Sequence, residues 1–319
     1  MSPKAGNRRR VLPHSTSTGD ASTANTNIAA LLALSSALCV AIGDVLQQQA
    51  AHGAAGSPNG HLGLLAELLR SRRWWLGIVL LAGSIALQAA ALSEGSVLLV
   101  QALVTLSLMF ALPINARTSC RRVSGGEWVW AGLLTAGVIV VVVVGNPLAG
   151  RTSAPLQTWG MVAAVFGPIL IGCLVLGQTR GGVVAATSYA FVAGSLWGVF
   201  AVLTKEVVAR LGDAGRPVTH SPELYACLLA VAGGFICGQL AFRAGPLTAS
   251  MPALQMSQPV VAAVLGVVVL GEKLNASRTG LLAMGFALVV MMAAVFQLAR
   301  LGAVATERAA DEQLQDAVV

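Results

Sequence analysis

Nine apolar stretches divide this chain almost end to end: 28–50, 74–93, 96–116, 127–145, 157–178, 183–207, 222–242, 246–271 and 279–299. A helix needs roughly 20 apolar residues to cross about 30 Å of hydrocarbon. In that solvent every backbone N–H and C=O must be bonded within the protein. The expected fold is therefore all-α, a multi-pass membrane protein of nine transmembrane helices. Composition points the same way: 56% of the 319 residues are hydrophobic and 10% are charged, against roughly 25% charged in a soluble domain. Ala, Gly, Val and Leu supply most of the apolar mass, which favours closely packed helices with small residues at their contacts. The period-2 alternation of a membrane β-barrel is absent.

The formal net charge is +7, but the basic residues are scattered through short connections, which argues against a nucleic-acid partner. The five cysteines form no CxxC pair, and four of them lie within apolar runs. They read as small hydrophobes rather than a disulfide framework. GxSxG, HExxH and P-loop patterns are missing, and His14, His52, His61 and His220 all fall outside the spans. The chain is thus expected to be neither an enzyme nor ATP-driven, and no cofactor is expected.

The joints Ser93–Ser96 and Arg243–Pro246 are short enough to force antiparallel neighbours. Segments 74–144 and 222–297 share one order, namely span, tight turn with a glycine (Gly95, Gly245), span, basic loop, span. The first and sixth spans align loosely, setting Gln47 against Lys205 and Gln48 against Glu206. Two four-helix repeats joined by one extra helix follow. That odd helix turns the second repeat upside down, an arrangement common in secondary transporters. The expected divisions are a disordered polar tail (1–27), a first repeat (28–145), a linking span (146–182), a second repeat (183–299) and a polar C-terminal tail (300–319). Basic loops of the two repeats fall on opposite faces, so the positive-inside rule cancels and does not orient the chain.

Asp44 is the one aspartate inside a predicted span. A carboxylate at a helix centre costs about 2.5–3.5 kcal/mol on insertion scales. With Gln47 and Gln48 at i+3 and i+4 it forms a polar stripe on one helical face, able to bind a cation or take a proton. The competing expectation ends the helix near Val45 and leaves the glutamines among headgroups. Lys205 is a further path candidate, whereas Glu206 reads as an end-of-helix charge. Gln101, Gln255 and Gln258 are uncharged path candidates; Gln88 and Gln239 read as helix-to-helix hydrogen bonders. Pro252 and Pro259 are candidates for breaking span eight and freeing carbonyls toward a cavity. Glu94 and Glu272 read as solvated interfacial charges.

The segment from Ala244 to Val290 carries a Gly-Pro turn, the pair Gln258-Pro259 and a Leu270-Gly271-Glu272 exit. It resembles the drug/metabolite transporter superfamily, in its EamA-like group and its magnesium-transporter-like branch. That superfamily usually has ten spans, and nine fit the magnesium-transporter-like branch better. The resemblance implies a cavity between spans one, three, six and eight. It further implies a secondary transporter that moves a small metabolite or drug-like solute by alternating access, with export as the expected direction. Coupling would be to a proton or a cation through Asp44. Partners would be the solute and membrane lipids, with a homodimer compatible. Separately, the few lysines (Lys4, Lys205 and Lys273) beside many arginines fit a GC-rich bacterial gene and so a bacterial cytoplasmic membrane. A divalent-cation carrier is the competing reading, with Asp44 as the one metal ligand, but one carboxylate is thin for magnesium. A lipid translocase, which would need a lateral opening between helices, and a non-transporting membrane scaffold are also compatible with the spans.

Overall fold

The computed structural model describes residues 17–54, 70–118, 123–145, 147–211, 221–245, 247–274 and 276–318. It is nearly all helical: α1 (Ser17–Ala54), α2 (Arg72–Glu94), α3 (Val97–Val104), α4 (Ser107–Thr118), α5 (Gly125–Val143), α6 (Leu156–Thr179), α7 (Gly182–Leu211), α8 (Pro222–Ala244), α9 (Leu247–Val268) and α10 (Arg278–Val318). A two-residue antiparallel pair, β1 (Pro147–Leu148) with β2 (Lys273–Leu274), ties the exits of α5 and α9 together. Among the described residues nine segments are long and apolar enough to cross a membrane, α3 and α4 counting as one. The protein is a multi-pass membrane protein.

Serines start the helices where the chain re-enters the apolar layer. Ser96 Oγ accepts from the Leu99 amide at 3.1 Å and Ser277 Oγ from the Gly280 amide at 3.1 Å. Ser124 and Glu127 form a reciprocal capping box at the start of α5. Each supplies an acceptor to amides that have no partner inside the helix.

Counting crossings gives two faces. The N-terminus, the Glu94–Ser96 turn, β1, β2 and the end of α7 share one, here face A. The start of α2, the α8–α9 turn and the C-terminus share the other, face B. The most extensive helix pairings are α1 with α2, α7 with α8 and α7 with α9. They are made by small residues: Ser36 Oγ donates to the Ser84 carbonyl at 2.9 Å, and Gly43 lies against Gly77 and Leu81. Helix α3 packs on α1, α7 and α9 at the centre, where Leu99, Val100, Val202, Ala262 and Val295 are almost fully buried. Helix α6 stays peripheral, with almost all of its residues open.

Two expectations change. Helix α1 already begins at Ser17, so helix continues into the polar N-terminal tail, while α10 runs on through the polar C-terminal tail to Val318. Helix α9 is a single helix through Pro252 and Pro259, because a proline ring still packs in a helix whose neighbours absorb the lost bond. The discontinuity lies instead in span three, at Thr105–Leu106, where α3 gives way to α4.

Candidate functional site

Two features stand out, one at each face. At face B, Asp44 follows Ala33, Ala37 and Ala41 at i+11, i+7 and i+3, and those three are buried. At about 100° per residue these positions share the inward side of α1. The lipid side carries Ile28, Leu31 and Leu38, all well exposed. Asp44 is nonetheless exposed, between buried neighbours Gly43 and Val45. The Gly43–Gly77 contact sets Asp44 level with Leu76, one turn inside the start of α2 at Arg72, or about 6 Å into the span. Asp44 therefore stands near the face-B end of α1 rather than at the midplane. Helix α1 continues to Ala54, so it does not end near Val45. The side chains of Gln47 and Gln48 lie outside the described residues.

Deeper in, Gln255 and Gln258 are partly open on the side of α9 away from its exposed stripe of Val260, Val264 and Val267. Gln101 is buried at 3% exposure. Gln88 is buried, but Gln239 is exposed: it faces outward and does not share the environment of Gln88.

Face A is closed. Lys205 and Glu272 are buried and pair at 3.0 Å. Lys205 Nζ also donates to the Gly95 carbonyl at 2.9 Å. Glu272 Oε1 accepts from the Val97 amide at 2.6 Å and Oε2 from the Leu98 amide at 3.0 Å. The cation thus satisfies the carbonyl end of α2, and the carboxylate satisfies the amide end of α3. Both complement the partial charges of those helix termini. Gly271 makes this geometry accessible: its φ of +64° is open to glycine at little cost and turns Glu272 back into the bundle. The Glu272 amide closes the turn on the Gly266 carbonyl at 3.1 Å.

Glu206, fully buried, makes a second tie. It accepts from the Ala154 amide at 3.0 Å and from Trp159 Nε1 at 3.2 Å, holding the start of α6 against α7. Glu206→Ala leaves both donors unpaired, at about 1–3 kcal/mol each. Glu206→Gln keeps an acceptor and should lose less, as detergent-phase thermal unfolding of the two variants will show.

Glu206 and Glu272 are not the solvated charges that sequence reasoning made them, and Lys205 is committed to the seal rather than to the path. Reading charge by its distance from a helix end missed them. The available signal was the run Leu270-Gly271-Glu272: a glycine directly before a lone carboxylate is a local means of turning that carboxylate inward. Among the described residues no group of three or more His, Cys, Asp or Glu could hold a metal ion.

No family model matches the chain, and no solved structure does. It is 35% identical over 274 residues to a protein of Corynebacterium glutamicum described as uncharacterized, an alignment covering 86% of this chain and 95% of the other.

Proposed function

We propose that this chain, which belongs to the family of the corynebacterial protein, is a secondary transporter of a small solute, working by alternating access without ATP in a bacterial cytoplasmic membrane. The observation that carries the reading is the asymmetry of the two faces. Asp44 opens on face B, while a buried ion pair and three hydrogen bonds to backbone close face A. A path sealed at one end and open at the other is what one state of such a cycle requires. A scaffold, whose polar face is filled by neighbouring helices, gives no reason for an open inward carboxylate. The pairing of α1 with α2 and of α7 with α8 supports two inverted repeats. The resemblance of 244–290 to the EamA-like group supports the same class.

Asp44 takes the role of proton or cation carrier, and a metabolite is favoured over magnesium because among the described residues no group of three or more His, Cys, Asp or Glu could hold a metal ion. Proteoliposomes under an imposed pH gradient test the role. Wild type should accumulate or release a fluorescent cationic substrate with the gradient, and Asp44→Asn should lose at least ten-fold in gradient-driven rate. Equal, pH-independent flux in both would remove Asp44 from the mechanism. Saturable, Asp44-dependent magnesium flux would favour the divalent-cation reading.

A further inference from the structure

The discontinuity in span three is marked in its local sequence only by Thr105, whose hydroxyl donates back to the Gln101 carbonyl, a contact that bends helices. Between Val97 and Leu112 there is neither glycine nor proline, the usual causes of a sharp kink. Pro113 removes the amide aimed at Met109, too late to explain a break at Thr105–Leu106. At that break the helix tightens. The Leu106 amide donates to Leu103 O at 3.0 Å and the Leu108 amide to Thr105 O at 3.4 Å. An uninterrupted helix would aim those two amides at the carbonyls of Ala102 and Val104. Thr105 adds nothing to spare, since its amide and its hydroxyl both go to the Gln101 carbonyl, at 3.1 and 2.7 Å.

Gln101, one turn before the break, supplies the second observation. It is 3% exposed, and its Nε2 has no hydrogen-bond partner. A buried amide donor left unpaired costs free energy, and native structures keep few such groups. Its direction follows from its neighbour four residues back. The Val97 side chain lies against Gly266 of α9, so Gln101 faces α9 one turn deeper, level with Ala262. The same antiparallel register sets Thr105 opposite Gln258. These are the middles of spans 97–114 and 249–268, the depth at which broken helices form transport sites.

We infer that the break between α3 and α4, with Gln101 and Gln258, is a binding subsite for a small solute bearing a carboxylate or carboxamide oxygen beside an N–H donor. The oxygen accepts from Gln101 Nε2, while the N–H donates to the carbonyls of Ala102 and Val104 and to the Gln258 side-chain oxygen. Amino acids and primary amides have this pairing. Divalent ions and quaternary amines lack it. The subsite rests on the transporter reading only for the route by which its solute arrives past Asp44.

Gln101→Leu separates a waiting donor from a structural one. Leucine fills similar space and removes the unpaired group, so the ligand-free variant should unfold at a higher temperature than wild type in the same detergent. It should also lose the upward shift that L-alanine or L-glutamine gives wild type, while choline, carrying charge but neither group, shifts neither protein. A Gln101→Leu protein that melts lower than wild type, or that keeps the shift, overturns the subsite. So does a wild type that responds to choline and not to L-alanine or L-glutamine. Uptake into proteoliposomes answers separately. Ligand shifts that depend on Gln101 without any uptake would sink the transporter reading and leave the subsite standing. Uptake undiminished by Gln101→Leu would do the reverse.

Discussion

Glu272→Ala should destabilise the protein by about 3–5 kcal/mol, the usual effect of removing one partner from a buried ion pair. The loss has three parts on this structure. Lys205 stays buried with only the Gly95 carbonyl, and the Val97 and Leu98 amides lose their acceptor. Glu272→Gln should be milder, since an amide oxygen still meets one of the two amides. Exchanging the charges, Lys205→Glu with Glu272→Lys, should not restore stability. The new carboxylate would face the Gly95 carbonyl and the new ammonium would face N–H groups, each against the local helix-end charge. An ordinary ion pair would tolerate the exchange, so a stable swapped protein would show that the helix ends contribute nothing. Lys205→Met with Glu272→Leu tests the role in the cycle. Paired apolar replacement of a buried ion pair is often neutral or stabilising, yet it removes the polar contacts that recognise the turn. The reporter is a cysteine at Ser96, buried in this structure, in a background without the native cysteines. It should be labelled faster by a water-soluble maleimide in the double variant than in the intact latch.

The nine spans were legible because their signal is additive: some twenty apolar residues in a row outweigh any local irregularity, and lipid allows them only helix. Start and end points were legible wherever a serine or a tight glycine turn marked them, as at Ser96 and Gly95. What could not be read was the angular position of the charges. Lys205, Glu206 and Glu272 sit near span ends, where an exposed and a buried charge have the same sequence environment. Their burial depends on which other helix end arrives opposite, and that is fixed only by tertiary packing. The same limit applies to the break in span three. Two prolines made span eight the natural candidate, yet α9 passes through both, and a glycine- and proline-free stretch breaks instead. Asp44 was a mixed case: helical period set it on one face with Gln47 and Gln48, but its direction needed the burial of Ala33, Ala37 and Ala41 and its depth the register of α1 against α2.

The crossing of α7 and α9 should be the least tolerant place in the membrane domain to added volume. A Cβ at Gly198 would sit 2.7 Å from the Gln258 carbonyl oxygen and 3.0 Å from the Ala262 amide nitrogen, and one at Gly194 would meet the Leu254 carbonyl and Ser257 Oγ. These obstacles are mostly backbone, which cannot rotate aside as a side chain can. Accommodation therefore requires α9 to move away from α7, at about 1–3 kcal/mol per site and more for a residue larger than alanine. The displaced helix carries Gln255 and Gln258 and leads into Glu272, so both the proposed solute subsite and the seal on face A move with it. Gly198→Ala should consequently lower both thermal stability and solute-induced stabilisation. Gly167→Ala on α6, where nothing lies within 4 Å of the added carbon, should leave both within error of wild type. If the two variants behaved alike, close α7–α9 contact would not be what holds this half of the protein together. If Gly198→Ala lost stability but kept its full response to solute, the subsite would have to lie away from α9, against the register that places Gln258 opposite the break in span three.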